Sequence, residues 1–248
     1  MRTFKDLLRE MAYSDIQHHF YHGTSQTNGE QILSSGKIRP GNIDVKRGHS
    51  MTPIMQRTYF TPDIACAVIY AISGNYIGDA THPSIEQFSK DGRYCYVFVL
   101  DGLNENDIII DEDCVGYILD YSIQALKNPE KYKADQEWYS EQYIGKWLAR
   151  VNRQDMESFV YACKNILTPL QFQKVEHEYA DSSTVISAGK KITKVLNPFY
   201  VNLLMKAECS FSLKGEISFD EAWKFDRILN GKLKKDASNF FKLAERIK

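Results

Sequence analysis

No stretch of this sequence approaches the ~20 consecutive apolar residues that a membrane-spanning helix needs. It also lacks an excess of either charge. Thirty-one Lys and Arg stand against 32 Asp and Glu, a net charge of -1, so no chain-wide basic field recruits nucleic acid or an anionic membrane; a local basic patch stays open. Cysteine is sparse and unpatterned. Cys66, Cys95, Cys114, Cys163 and Cys209 are odd in number and scattered, with no CxxC and no neighbouring His at metal-ligand spacing, which argues for reduced thiols rather than a disulfide framework or a zinc site. The opening MRTFKDLLREMAYSD places Phe4, Leu7, Leu8 and Met11 at helical spacing but breaks them with charges, so it has no continuous apolar core of a secretory signal. The expected compartment is a cytoplasm, with no membrane partner. Internal repeats and low-complexity linkers are missing too, so residues 1–248 are expected to form one domain.

What is present suffices for a substantial core, with 43% hydrophobic residues over 248 positions. HHFYHGTS reads as a strand stopping in a tight turn at Gly23, and NGEQILSSG as a helix with Ile32 and Leu33 inward and Gly36 as its stop. Residues 40–58 mix Pro, Gly and charge without a period and are expected to form a loop. TYF is a short strand. In TPDIACAVIYAIS, Thr61 is the candidate N-cap, Pro62 the first helical residue and Asp63 a first-turn acid. RYCYVFVLDG alternates and is rich in β-branched and aromatic residues, the clearest strand of the chain. DIIIDEDCVG is a short apolar run closing in three acids. Residues 116–180 read as mostly helical, with Trp138, Ile144, Trp147, Leu148, Val151, Phe159, Val160, Cys163 and Ile166 inward and a fresh helix start at Thr168-Pro169. ECSFSLKGEI is a last β-like stretch, followed by DEAWKFDRIL and the tail ASNFFKLAERIK, expected to end in basic helix.

Two stretches resemble one family. FYHGTSQTNGEQILSSGKIRPG is similar to the opening strand and helix of ADP-ribosyltransferases of the diphtheria-toxin-like, poly(ADP-ribose) polymerase-like group. His22, Gly23, Thr24, Asn28, Ile32, Leu33 and Gly36 match its pattern in register, and Arg39 sits one position late. TYFTPDIACAVIYA resembles the Tyr-Phe-Ala strand and following helix of the same group, matching at Tyr59, Phe60 and, eleven residues after Tyr59, Tyr70. Order and spacing agree over about a fifth of the chain. The resemblance implies an α+β fold, a split β-sheet core with strands within about 18–113 and 205–220 and a helical insertion over about 114–204. It implies NAD as substrate.

The residue types suit that ligand. A nicotinamide is a flat ring with a carboxamide, which backbone groups bared at Gly23 and Thr24 and the faces of Tyr59 and Tyr70 would hold. His22 would donate to a ribose hydroxyl, and the planar fork of Arg39 suits the adenosine or phosphate oxygens. Blander readings stand beside these. A His beside Gly is commonly structural, Tyr59 and Tyr70 could be core aromatics since Ala67 and Tyr70 share a helical face, and an Arg before Pro is often merely solvated.

The resemblance further implies a late carboxylate that stabilises the oxocarbenium-like ribose and orients the acceptor. Five glutamates compete for it. Glu141, in YSEQYI, resembles the family's Tyr-Asn-Glu-Tyr-Ile strand but lies, with Glu137, among apolar residues at helical spacing. Glu176 and Glu178 form Glu-x-Glu in a polar segment. Glu208 opens a β-like stretch that closes in Gly-x-Ile and is the preferred third catalytic residue with His22 and Tyr59, although the family's commoner spacing lands on Ser210. The acids Asp111, Glu112 and Asp113 have no counterpart in the pattern and read as a solvated helix cap, so no metal is assigned.

The implied activity is mono-ADP-ribosylation of a macromolecular acceptor, protein or nucleic acid, in a chain whose compactness resembles tailed-phage products. Two rivals use the same fold. One is a degenerate member that binds NAD, a nucleotide or a protein without transfer. The other is an NAD-dependent RNA 2'-phosphotransferase, for which only Lys37, Arg39, Lys46 and Arg47 lie near His22 in the sequence.

Overall fold

The computed structural model describes residues 19–40, 56–73, 92–100, 103, 107–138, 143–177, 180–196, 198–226, 242 and 244–248. The expected first helix and most of the 40–58 loop lie outside them. The described residues form an α+β fold with three small antiparallel sheets. No helix among the described residues is long and apolar enough to cross a membrane.

The central sheet is built on the strand that the sequence marks most clearly. Strand β4 (Tyr94–Leu100) pairs with β1 (Phe20–Ser25) on one side and β8 (Glu221–Asp226) on the other, and β9 (Glu245–Arg246) closes the far edge. Alternation in β4 does not separate a buried face from a wet one. Tyr96, Phe98 and Leu100 enter the main core, while Cys95 and Val97 enter a smaller one with Ala67, Val68 and Ala71. Those three come from α2 (Ile64–Ser73), which lies against β1 and β4. Gly23 is therefore not a turn but a mid-strand residue opposite Val97. A Cβ there would lie 1.7 Å from the Ala67 carbonyl oxygen, so only glycine lets α2 seat this closely.

A second sheet runs β3 (Arg57–Phe60), β6 (Phe211–Lys214), β5 (Ile109–Ile110), with Tyr59 opposite Ser212 and Ile110 opposite Phe211. It joins the first through reciprocal backbone hydrogen bonds between Tyr21 and Thr61, 2.7 and 2.9 Å. The third pairs β2 (Lys37–Ile38) with β7 (Ile217–Ser218). Helix α1 (Gln26–Ser35) ends at left-handed Gly36 as expected. In α2 the start is shifted: Asp63 is the cap, its Oδ1 accepting from the Ala65 amide, and Thr61 steadies Asp63 from before the helix.

The expected helical stretch comprises α3 (Glu112–Lys127), α4 (Pro129–Trp138), α5 (Tyr143–Arg150), α6 (Arg153–Ile166), α7 (Pro169–Val175), α8 (Ser182–Ile192) and α9 (Pro198–Lys206). Thr168 and Gln171 form a capping box at α7, as the Thr-Pro start signals. The inward set is buried or half-buried at Ile144, Trp147, Leu148, Val151, Phe159, Val160, Cys163 and Ile166; the side chain of Trp138 lies outside the described residues. Its hydrophobic cluster is continuous with Phe20, Phe98 and Phe211 of the sheets. Two other expectations change. The tail ends in strand β9 rather than basic helix, where two residues pair with Trp223 and Lys224. Glu208 does not open a strand: β6 starts at Phe211, and Glu208 sits in the turn after α9 with φ 57.

Candidate functional site

Strand β1 brings His22 to the joint of the first two sheets, where its Nδ1 lies 2.8 Å from the Tyr59 carbonyl oxygen. A carbonyl can only accept, so Nδ1 carries the proton. Burial lowers the imidazole pKa, with the Tyr59 bond opposing it, so the ring is neutral and its Nε2 is an acceptor. The sequence leads to a donor at His22; the tautomer instead leaves Nε2 as an acceptor.

From the same strand, β3, the Tyr59 hydroxyl donates to Glu112 Oε1 at 3.1 Å. Glu112 is 2% exposed, and its second oxygen has no hydrogen-bond partner among the described residues. A backbone and side-chain relay thus links His22, Tyr59 and a buried carboxylate. Sequence reasoning missed this glutamate because three consecutive acids after an apolar pair resemble a solvated cap. They do form a helix start: Asp111 caps α3 and accepts from the Asp113 amide at 2.9 Å. But that start is buried. The Asp111 amide donates to the Ser210 carbonyl, 3.0 Å, and α8 lies so close that a Cβ on Gly189 would come 1.9 Å from the Glu112 carbonyl oxygen. The usable signal was the sequel CVGYIL, whose apolar run leaves the first turn no wet face.

Burial sets the electrostatics of this turn. Desolvation, followed by the Glu112 charge, pushes Asp111 up to about 7 against hydrogen bonds from backbone amides and the pull of Arg57. Asp113 is pushed to about 8 by desolvation, Asp111 and Glu112, with Lys190 opposing. Tyr70, on α2, is drawn into the same field: burial raises its phenol pKa, then Cys66, Asp111, Cys114 and Asp113. The thiol of Cys66, at about 12 through burial and the nearby Asp63 charge, is no nucleophile at neutral pH. Among the described residues no three His, Cys, Asp or Glu side chains converge as metal ligands.

The structure thus gathers His22, Gly23, Thr24, Tyr59 and Tyr70 around the β1, β3 and α2 junction and adds Glu112. Thr24 is buried in β1, opposite Tyr96. Arg39 stands apart, exposed and paired with Glu216 at 3.1 Å. Glu208 is engaged elsewhere, one oxygen with Lys146 and the other 2.7 Å from Arg150. Glu137 is exposed on α4, and Glu176 caps α7 and pairs with Lys127 at 3.1 Å. Glu141 and Glu178 lie outside the described residues. A surface hollow between Lys174, His177 and Thr184 shares no residue with this cluster. Comparison with protein-family models, with curated proteins and with solved structures finds no match for this chain.

Proposed function

We propose that the chain is an NAD-dependent mono-ADP-ribosyltransferase of the ADP-ribosyltransferase-like fold, acting on a macromolecular acceptor and releasing nicotinamide. The observation that carries this reading is the relay from neutral His22 through Tyr59 to buried Glu112, because it supplies each group the chemistry needs. His22 Nε2 accepts from a ribose hydroxyl. Tyr59 and Tyr70 take the two faces of the nicotinamide ring, with Glu112 beside Tyr59. As the glycosidic bond to nicotinamide lengthens, positive charge moves onto the ribose, and the free oxygen of Glu112 stabilises it. The same carboxylate then takes the proton of the attacking acceptor group.

Glu112 fits this role better than Glu208, whose carboxylate is already neutralised by Lys146 and Arg150. Burial alone would raise the Glu208 pKa, but those hydrogen bonds and charges outweigh it and hold it low, which suits an ion pair rather than a proton acceptor. For the RNA 2'-phosphotransferase reading the cations are poorly placed: Lys37 and Arg39 both pair with Glu216, and Lys46 and Arg47 lie outside the described residues. The binding-only reading is separated by experiment. The protein is incubated with labelled NAD and a cell lysate, with NAD binding followed by calorimetry. Label on a macromolecule supports transfer; NAD binding that Tyr70→Ala abolishes, without any label transfer, supports the binding-only reading, and no NAD binding rejects the transferase.

A further inference from the structure

One side chain of the helical insertion reaches both flanks of the site. Lys146, on α5, is 14% exposed and ion-paired to two carboxylates from different parts of the core, Asp63 and Glu208. Each carboxylate is fixed at the root of an element that carries one side of the site. Asp63 caps α2, the helix of Tyr70, by accepting from the Ala65 amide at 2.9 Å. Glu208 occupies a left-handed turn, a conformation that a non-glycine residue adopts at a cost, and its second oxygen is held by Arg150 at 2.7 Å. Two residues on, the Ser210 carbonyl takes the Asp111 amide, and Asp111 caps α3, the helix of Glu112.

We propose that Lys146 is a positioning residue: bridging Asp63 and Glu208, it sets the separation between Tyr70 and Glu112, and through it the packing of the insertion controls the width of the donor site. The assignment of Tyr70 and Glu112 as the two sides rests on the transferase reading; the bridge itself does not. A single ammonium suits this task, because its three donors reach carboxylates on both sides without the fixed plane of a guanidinium. Desolvation works against its charge, but the bonds from Asp63 and Glu208 prevail and raise its pKa, so the bridge is charged across the neutral range. Glu208 thereby acquires a role other than the catalytic one that its place in the sequence suggests.

Hydrogen exchange and NAD affinity are measured together on the full chain as wild type, Lys146→Met, Lys146→Arg, Glu208→Gln and the double variant Lys146→Met/Glu208→Gln. The proposal expects faster exchange in Lys146→Met at the starts of both α2 and α3, with β4 unchanged, and an NAD dissociation constant raised about tenfold. Lys146→Arg keeps the charge but, with its planar fork, restores only part of both, and Glu208→Gln adds little on top of Lys146→Met. Exchange that rises at one helix start only, or evenly over the chain, overturns it, as does unchanged affinity in a folded Lys146→Met protein. If the wild type binds no NAD, the transferase reading fails, while coupled exchange at the two helix starts still decides whether Lys146 bridges them.

Discussion

Replacing Asp113 by Asn tests whether the acidic start of α3 is buried as charge-poor as described. In the folded chain Asp113 keeps its proton up to about pH 8, against an ordinary 3.8. A raised acid pKa sets the sign: between those values the unfolded chain has released a proton that the folded chain keeps. Stability therefore falls as pH rises from 3.8 through about 8 and is level beyond. At about 1.4 kcal/mol per pH unit the whole interval sets a ceiling of about 6 kcal/mol. Asp111 and Glu112, which supply part of the shift, remain in the variant and redistribute protons, so the expected gain is about 2 kcal/mol near pH 8.5. For a chain of 248 residues that is roughly 4–8 °C in Tm. Near pH 3, where folded and unfolded Asp113 are both mostly protonated, variant and wild type should melt together. Thermal melts at about pH 3 and about pH 8.5 decide it. A variant that loses stability at the higher pH, or gains equally at both, would refute the reasoning.

Gly23→Ala places a methyl 1.7 Å from a helix carbonyl that cannot move alone, so it should lower stability by more than about 3 kcal/mol in urea unfolding. Tyr59→Phe leaves Glu112 without its hydroxyl donor and should cost about 1–3 kcal/mol, together with most of any transferase activity. For Lys146→Met the loss should be about 3 kcal/mol near neutral pH and shrink in acid: the depressed Glu208 pKa contributes stability that is present above its ordinary 4.5 and vanishes as pH falls through the lowered value. Denaturant midpoints at about pH 3 and about pH 7 measure the difference.

Where backbone pattern alone decides, the sequence reading and the fold agree. RYCYVFVLDG gives β4, Gly36 stops α1, and Thr168-Pro169 starts α7, because β-branched alternation, a left-handed stop and a capping box act locally. Departures occur where distant segments take over. Gly23 continues a strand because α2 presses on it, and the terminal AERIK is held as β9 by β8. The site divides in the same way. His22, Tyr59 and Tyr70 are legible as a spaced series, whereas Glu112 is joined to Tyr59 only by the pairing of β5 and β3 with β6, a contact that no local pattern encodes. Glu208 misled for a matching reason: its surroundings look like a strand, yet Lys146 and Arg150 hold it in a turn.

The most direct test of the account compares Glu112→Gln with Glu208→Gln in transfer of label from NAD under saturating NAD. The account predicts that Glu112→Gln retains NAD binding and loses label transfer by at least about a hundredfold, while Glu208→Gln keeps turnover within a few-fold and weakens NAD binding instead. Transfer that survives in Glu112→Gln and disappears in Glu208→Gln would contradict it.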